Sequence, residues 1–475
     1  MKLKKNKLFL GTYLLVFILA LIVTVGNANV LADDISFEKA VEIALENNDQ
    51  IKNLENNIES LKRSNAMIKA QQDWQININA NYNHIFEDEN SNSSLNSMGN
   101  EDNINLEISK NFKTGFSFNP SITISENDEN LTIDINQILY PITETQLNKN
   151  LFKNNKELIK AEINLEKTKA DKIISWLESY LNIIRLEERK LIYENNLKKA
   201  EKNYNKVKEE REIGEAGKQQ ILTAELSLEN ARYNLKEIKN NISLSKKNFK
   251  VELGFEESKD INFNINSPYI TDLSNKVDSI VKDYLQKDNL MKMVEKNNID
   301  LIANKIDRDL LNQEMEWLKK EDDANINLSG SYNTESEDLR ASLHISYDIY
   351  DGGKENLDIK SKEAKLEQNR DNYKSLYRKL EIELQSHLNK LSLNKDNVKK
   401  MELSYERSKF EAEVARKQFD RGLIDYLEYQ EKWINSKEAE ISLKSSKDNV
   451  LLNKLRFINF INSEKITGGF DVDKK

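Results

Sequence analysis

Between Lys354 and Phe419 the chain contains neither Gly nor Pro. A run that long without a helix breaker supports one uninterrupted helix, roughly 100 Å long at about 1.5 Å per residue. No compact globule holds such a rod, so the remaining chain must be organised along it. Within the run, Leu391, Asn394, Val398, Met401, Tyr405, Ser408, Ala412, Ala415 and Phe419 follow alternating steps of three and four, which is a heptad seam. Just before it, in LRASLHISYDIY, Leu339, Ala341, Leu343, Ile345, Tyr347 and Ile349 alternate with polar residues, a β-strand pattern. Asp351-Gly352-Gly353 separates strand from helix. Arg421-Gly422 ends the helix, and a return helix begins at Tyr426 and runs to about Ile461.

The same plan occurs earlier in the chain. A short helix is expected over Ser36 to Leu45 with Ser36 as N-cap, then, after Asn47-Asn48-Asp49, a second over Gln50 to Asp73. Strand candidates follow: one opening at Trp74 with Ile76, Ile78, Ala80, Tyr82 and Phe86 on one face, then Asn103 to Phe112, Phe116 to Ile124 and Leu131 to Leu139. A polar loop over Glu87 to Asp102 and a tight Lys113-Thr114-Gly115 hairpin connect them. After Tyr140-Pro141, a helix from Glu144 to about Ile213 breaks at Gly214-Glu215-Ala216-Gly217 and returns from Lys218 to about Leu253. Beyond Pro268 come short helical segments, a helix over Lys292 to Lys320, and the strand Asn325 to Tyr332. Tyr140 and Tyr350 are 210 residues apart, and Gly214 and Gly422 are 208 apart. Two landmarks that agree so closely predict an internal duplication. The expected divisions are a signal peptide over 1–32, a first repeat over 33–267, a second over 268–465 and a tail over 466–475.

Composition narrows the function. Charged residues make up 32% of the chain, with 13 Gly and 3 Pro, a balance that suits long helices. At 38% hydrophobic content no large dry core is expected. Lys2, Lys4, Lys5 and Lys7 precede an apolar run from Leu8 to Val25, and Val30-Leu31-Ala32 offers a cleavage site. Cleavage removes four lysines and no acid, taking the net charge of −9 further down to −13, which disfavours nucleic acid as a partner. With no Cys, the exported chain has no disulfide and no lipid anchor on Cys.

No enzyme chemistry is legible. His84, His344 and His387 are isolated, and no phosphate-cradling Gly loop or nucleophile motif is present. No metal site or cofactor is expected. The strands, with strict alternation over about 9 to 12 residues, match tilted strands crossing an outer membrane. One chain offers too few of them to close a wide barrel, and an open edge is incompatible with lipid. A homo-oligomer pooling strands resolves this. An envelope-spanning coiled-coil scaffold or adhesin without a pore is the competing reading, and a periplasmic adaptor with its single hairpin fits less well.

ISFEKAVEIALENNDQIKNLENNI, the strand-to-helix segments IYDGGKENL and LYPITETQL, and the turns GLIDYLEYQEK and GEAGKQQILTAE together resemble the outer-membrane efflux (TolC) family over nearly the whole mature chain. The resemblance implies an α+β membrane protein: a homotrimeric β-barrel in outer-membrane lipid on a long coiled-coil α-helical tunnel through the periplasm. It also implies a passive exit duct for efflux or type I secretion, docked to a periplasmic adaptor (a membrane fusion protein) and coupled to an inner-membrane transporter. By position, Gly214, Glu215, Ala216, Gly217 and Lys218, with Gly422, Leu423, Ile424, Asp425 and Tyr426, would form the adaptor-contacting turns. Glu428 and Glu431 would form acidic rings at the tunnel entrance. The chain departs from the family at the polar entrance-latch positions, which are here Gln219, Gln220, Phe419 and Ile424, and in an extra strand pair, Asn103 to Ile124.

Overall fold

A computed structural model of the chain describes residues 34–35, 37–82, 103–125, 128–141, 144–255, 262–263, 268–287, 289–321 and 324–462. The expected signal peptide over 1–32, N-cap Ser36, strand residue Phe86, the loop over 87–102 and the tail over 466–475 lie outside the described residues. In chain order the elements are β1 (Asp34–Ile35), α1 (Phe37–Asn47), α2 (Asp49–Ala70), β2 (Gln75–Asn81), β3 (Asn103–Asn111), β4 (Phe116–Ser125) and β5 (Glu129–Tyr140). They continue as α3 (Gln146–Glu212), α4 (Lys218–Glu252), β6 (Asn262–Phe263), α5 (Pro268–Leu285), α6 (Leu290–Asn297) and α7 (Ile299–Glu321). The last are β7 (Asn325–Asn333), β8 (Asp338–Ser346), α8 (Lys354–Asp420) and α9 (Tyr426–Ile461).

The two long helices, α3 and α8, each have 67 residues, roughly 100 Å of rod. Neither has a Gly or Pro to stop it, so each ends only where its glycine turn begins. On α8 the heptad seam is the covered stripe, with Ala415 buried and Leu391, Val398, Met401 and Tyr405 half-buried, while Phe419 at its end is exposed. Toward the glycine turns, α4 packs along α3, α9 packs along α8, and α3 lies against α9. This makes a layer ordered α4–α3–α9–α8. Toward the sheet, α2 takes the place of α4 and α7 that of α9.

Strands β2, β3, β4, β5, β7 and β8 form one antiparallel sheet in that order. The extra strand pair therefore belongs to the same sheet as the others. Registers such as Ile78↔Leu106↔Ile122↔Leu131 carry one apolar face across four strands, and Leu328↔Leu343 continues it. Among the described residues nothing covers that face: Leu343 is 58% exposed and Ile345 61%. Edge strands β2 and β8 have free outer sides. Two-residue strands β1 and β6, not foreseen from the sequence, pair in parallel.

Two expectations need correction. The helix expected over Lys292 to Lys320 is two, α6 and α7, because Asn298 caps the second by accepting from Asp300 N and Leu301 N, both at 3.1 Å. Asn48 does the same between α1 and α2, accepting from Gln50 N and Ile51 N. The expectation of no large dry core also fails. Phe37, Trp176, Leu177, Tyr180, Ile183, Phe249, Leu301, Leu455 and Phe457 form one buried cluster contributed by α1, α3, α4, α7 and α9. The modest apolar content is concentrated at this collar instead of being spread along the rods.

Candidate functional site: the helical hairpin tips

Both glycine turns close with the same bonds. At the first, Gly214 N donates to Arg211 O at 3.1 Å and Glu215 N to Glu210 O at 2.7 Å. At the second, Gly422 N donates to Phe419 O and Leu423 N to Gln418 O, both at 2.9 Å. This pair of bonds is the Schellman motif, which needs a left-handed residue just past the helix. Gly214 (φ 83°) and Gly422 (φ 72°) supply it. After each turn the return helix is capped. Gln220 Oε1 accepts from Gly217 N at 2.6 Å, and Asp425 Oδ1 accepts from Glu428 N at 2.9 Å. Thus Gly214 to Gly217 and Gly422 to Asp425 are four-residue tips of matching build, and Lys218 and Tyr426 are the first residues of α4 and α9. Ala216 is buried, whereas Ile213 and Leu423 stand exposed at the two ends.

The tips are joined through α3 and α9. Lys199 Nζ is 3.0 Å from Glu431, Lys202 Nζ lies 3.5 Å from the centre of the Tyr426 ring, and Lys206 Nζ is 3.7 Å from Asp425. Phe419 stacks on Tyr429 at 5.4 Å, tying the end of α8 to the start of α9. Glu428 and Glu431 both line a groove of about 650 Å³ with Tyr193, Asn196, Asn203 and Asn230. Glu431 is thus partly neutralised within its own chain. Glu428 has no ion-pair partner among the described residues. Of the expected latch positions, Phe419 is engaged in stacking and Gln220 in capping.

Further along the α3–α9 seam is a continuous ionic ladder. Arg185 Nε donates to Asp448 at 2.7 Å, Arg185 also binds Glu188, Lys444 bridges Glu188 at 2.8 Å and Glu440 at 3.1 Å, and Lys437 reaches Glu440 at 2.8 Å. Burial pushes the Asp448 carboxyl above the usual carboxylate range even with Arg185 beside it. Burial alone would raise Glu440 too, but hydrogen bonds from Lys437 and Lys444 outweigh it and hold this carboxyl low. The lysines at 199, 202 and 206 were not singled out in the sequence; the docking of α9 gives them Glu431, Tyr426 and Asp425, and Lys206 also reaches Glu210 on α3 at 4.0 Å. Their heptad-like spacing opposite an acidic helix start was the available signal.

Among the described residues no three His, Asp or Glu converge as a metal site, and no helix is long and apolar enough to cross a membrane.

Residues 290–457 match the model of the outer membrane efflux protein family. No curated protein matches the sequence. Among solved structures, the chain is similar to the Campylobacter jejuni CmeC outer membrane channel, with TM-score 0.63 and 12% identity over 92% of this chain and 90% of that one. It is also similar to the Vibrio cholerae outer membrane protein VceC, with TM-score 0.61 and 13% identity over 90% and 95% of the two chains. A third is the open state of the Neisseria gonorrhoeae MtrE outer membrane channel, with TM-score 0.60 and 13% identity over 92% and 93%. At these identities the likeness establishes the fold: long helices bearing a β-sheet.

Proposed function

Because residues 290–457 match the model of the outer membrane efflux protein family, we propose that this chain is the outer-membrane exit duct of a tripartite efflux or type I secretion assembly. In this reading the mature chain is two repeats, 33–267 and 268–465, exported by a signal peptide over 1–32. Three copies pool their sheets into a barrel in the outer membrane, and their helices form a tunnel into the periplasm. The duct is a passive conduit and not an enzyme. A periplasmic adaptor docks at Gly214 to Lys218 and Gly422 to Tyr426, and an inner-membrane transporter drives the solute. Glu428, without an ion-pair partner among the described residues, gives the entrance its preference for cations, and Glu431 adds to it less because Lys199 offsets its charge.

The observation that carries this reading is the sheet. Its apolar face is continuous and largely exposed, its opposite face is mostly Asn, Ser and Thr with charged residues such as Glu107, Asp134 and Arg340, and among the described residues both edges are free. Lipid outside, water inside and a neighbouring sheet at each edge satisfy all three at once. The test is insertion into phospholipid vesicles of Leu343→Arg/Ile345→Arg. An arginine on the lipid face costs about 2–4 kcal/mol at mid-bilayer. The double variant is expected to stay outside the vesicles, and insertion as efficient as that of the parent would contradict the reading.

A further inference from the structure

Resting on the proposed duct, we infer that β3 and β4 cross the membrane as part of the barrel wall. Three six-stranded sheets then close an 18-stranded barrel, with β2 of one copy paired to β8 of the next. The alternative placement, a hairpin projecting beyond the membrane, conflicts with four features of the chain.

The first is length. β3 has 9 residues and β4 has 10, against 9 in each of β7 and β8, and a tilted strand needs about 9–11 to cross. The second is pattern. Ile104, Leu106 and Ile108 face the same side as Phe118, Ile122 and Ile124, in register with Ile78 on β2 and Leu131 on β5. Asn105, Glu107, Ser121 and Thr123 take the other side.

The third is level. The Lys113–Gly115 turn lies at the helix end of the sheet, where Asn148 of α3 donates to Lys113 O at 3.4 Å and Gln137 donates to Thr114 O at 3.1 Å. Beside it sit Trp74, Phe112, Phe116 and Phe118, with Trp74 and Phe118 edge to face at 6.3 Å. Lys110 lies on the apolar side of β3, yet its ammonium reaches Asp73 at 2.8 Å and rests over the Trp74 and Phe112 rings. An aromatic girdle with a snorkelling lysine marks a membrane boundary. The hairpin contributes to the same boundary as β2, so both stand at one depth.

The fourth is width. Six strands spaced about 4.8 Å apart and tilted by roughly 40° span about 38 Å of circumference. The four-helix layer beneath spans about 32–40 Å at 8–10 Å per helix. Four strands would span only about 25 Å on the same spacing, and the wall would have to narrow above the helices. With β3 and β4 included, sheet and helical layer match. The order of the sheet also sets the closure: β2 and β8 run in opposite directions, so edge joins edge as an antiparallel pair, as everywhere else in the sheet.

The natural chain has no cysteine, so single-cysteine labelling has no background. Spin labels at Leu106→Cys and Ile122→Cys, and at Asn105→Cys and Thr123→Cys, are compared in phospholipid vesicles with Leu343→Cys and Ser342→Cys on β8. Collision with oxygen reports lipid, and collision with a water-soluble nickel chelate reports the lumen. The expected result is lipid exposure at 106, 122 and 343 and water exposure at 105, 123 and 342. If only the β8 pair alternates and the hairpin is wetted throughout, the hairpin lies outside the wall and the 18-strand barrel is overturned while the duct stands. If no position meets lipid, the duct reading fails too. A second arm pairs Ile78→Cys with cysteines at Leu339, Ala341, Leu343 or Ile345 in turn. Disulfide-linked trimers at one register support the β2–β8 junction, and monomers at all four exclude it.

Discussion

Residue by residue, charge placement at the α3–α9 seam decides which substitutions matter. Arg185 and Asp448 are both mostly buried, so Arg185→Ala strands a carboxylate that burial already disfavours. The expected loss is about 2–3 kcal/mol in thermal unfolding of the detergent-solubilised protein, smaller than for a fully dry pair because both groups retain some solvent. Lys199→Ala, at the exposed end of the same seam, should cost under about 1 kcal/mol. Equal effects would remove the ladder's claim to join the two hairpins. His387 behaves differently. Burial against Phe457 and Phe460 pushes its pKa below the usual 6.5, and Lys390 and Arg456 push the same way. The folded chain therefore keeps it neutral, while the unfolded chain protonates it as the pH drops below about 6.5. Stability is full above that pH and is lost as pH falls toward the folded value. His387→Gln should flatten the thermal midpoint between pH 7 and 5.5, and an unchanged slope would count against burial of a neutral imidazole. None of this was legible in sequence, where His387 is one isolated histidine and Arg185 one of 71 basic residues. Partners 263 residues apart meet only through the fold. Asn298 is the contrary case. Asn297-Asn298 repeats the Asn47-Asn48 pair that was read correctly as a break, and the same capping chemistry follows it.

At the level of elements, periodicity was the more reliable guide. The absence of Gly and Pro set α3 and α8 to within a few residues, and the glycine turns ended both with one motif. Alternation located the strands and their faces, because a polar row of Asn and Ser beside a row of Ile and Leu has only one pleat that separates them. The outer helices carry a further signal. On α4, Leu222, Leu226, Tyr233, Leu244 and Val251 are exposed and lie within about 40° of one another at about 100° per residue. They oppose the face that Leu228, Ile238 and Phe249 turn toward α3. On α8, Ile382, Leu393, Leu403, Phe410 and Val414 are exposed opposite the covered seam. These are the two lateral borders of the layer, so in the proposed trimer α4 of one copy lies against α8 of the next. Tyr233→Glu/Phe410→Glu should release protomers, seen by light scattering in detergent, while far-ultraviolet circular dichroism stays helical. Intact trimers would place the contact elsewhere.

For the molecule as a whole, the order of parts was readable and their assembly was not. Paired landmarks at Tyr140 and Tyr350 and at Gly214 and Gly422 set out two helical hairpins, each following its strands, an order the structure follows. The collar was missed because composition averages over the chain, whereas IISWLESYLNII in α3 buries Ile173, Ile174, Trp176, Leu177, Tyr180, Leu181, Ile183 and Ile184 on several sides at once. Such a helix needs neighbours all round, and α1, α4 and α9 provide them. The place of the extra strands was also hidden, since alternation reveals a face but not the neighbour. Among the described residues the chain is left with two free sheet edges, two uncovered helix stripes and a polar sheet face, which the proposed ring would pair, cover and turn toward water. The most direct test is single-channel conductance of the mature protein in a planar lipid bilayer, alone and as Glu428→Gln/Glu431→Gln. Discrete cation-preferring openings, with the preference reduced in the double variant, are the predicted result. A well-folded trimer that inserts yet never conducts, under any voltage or salt gradient, would contradict the duct.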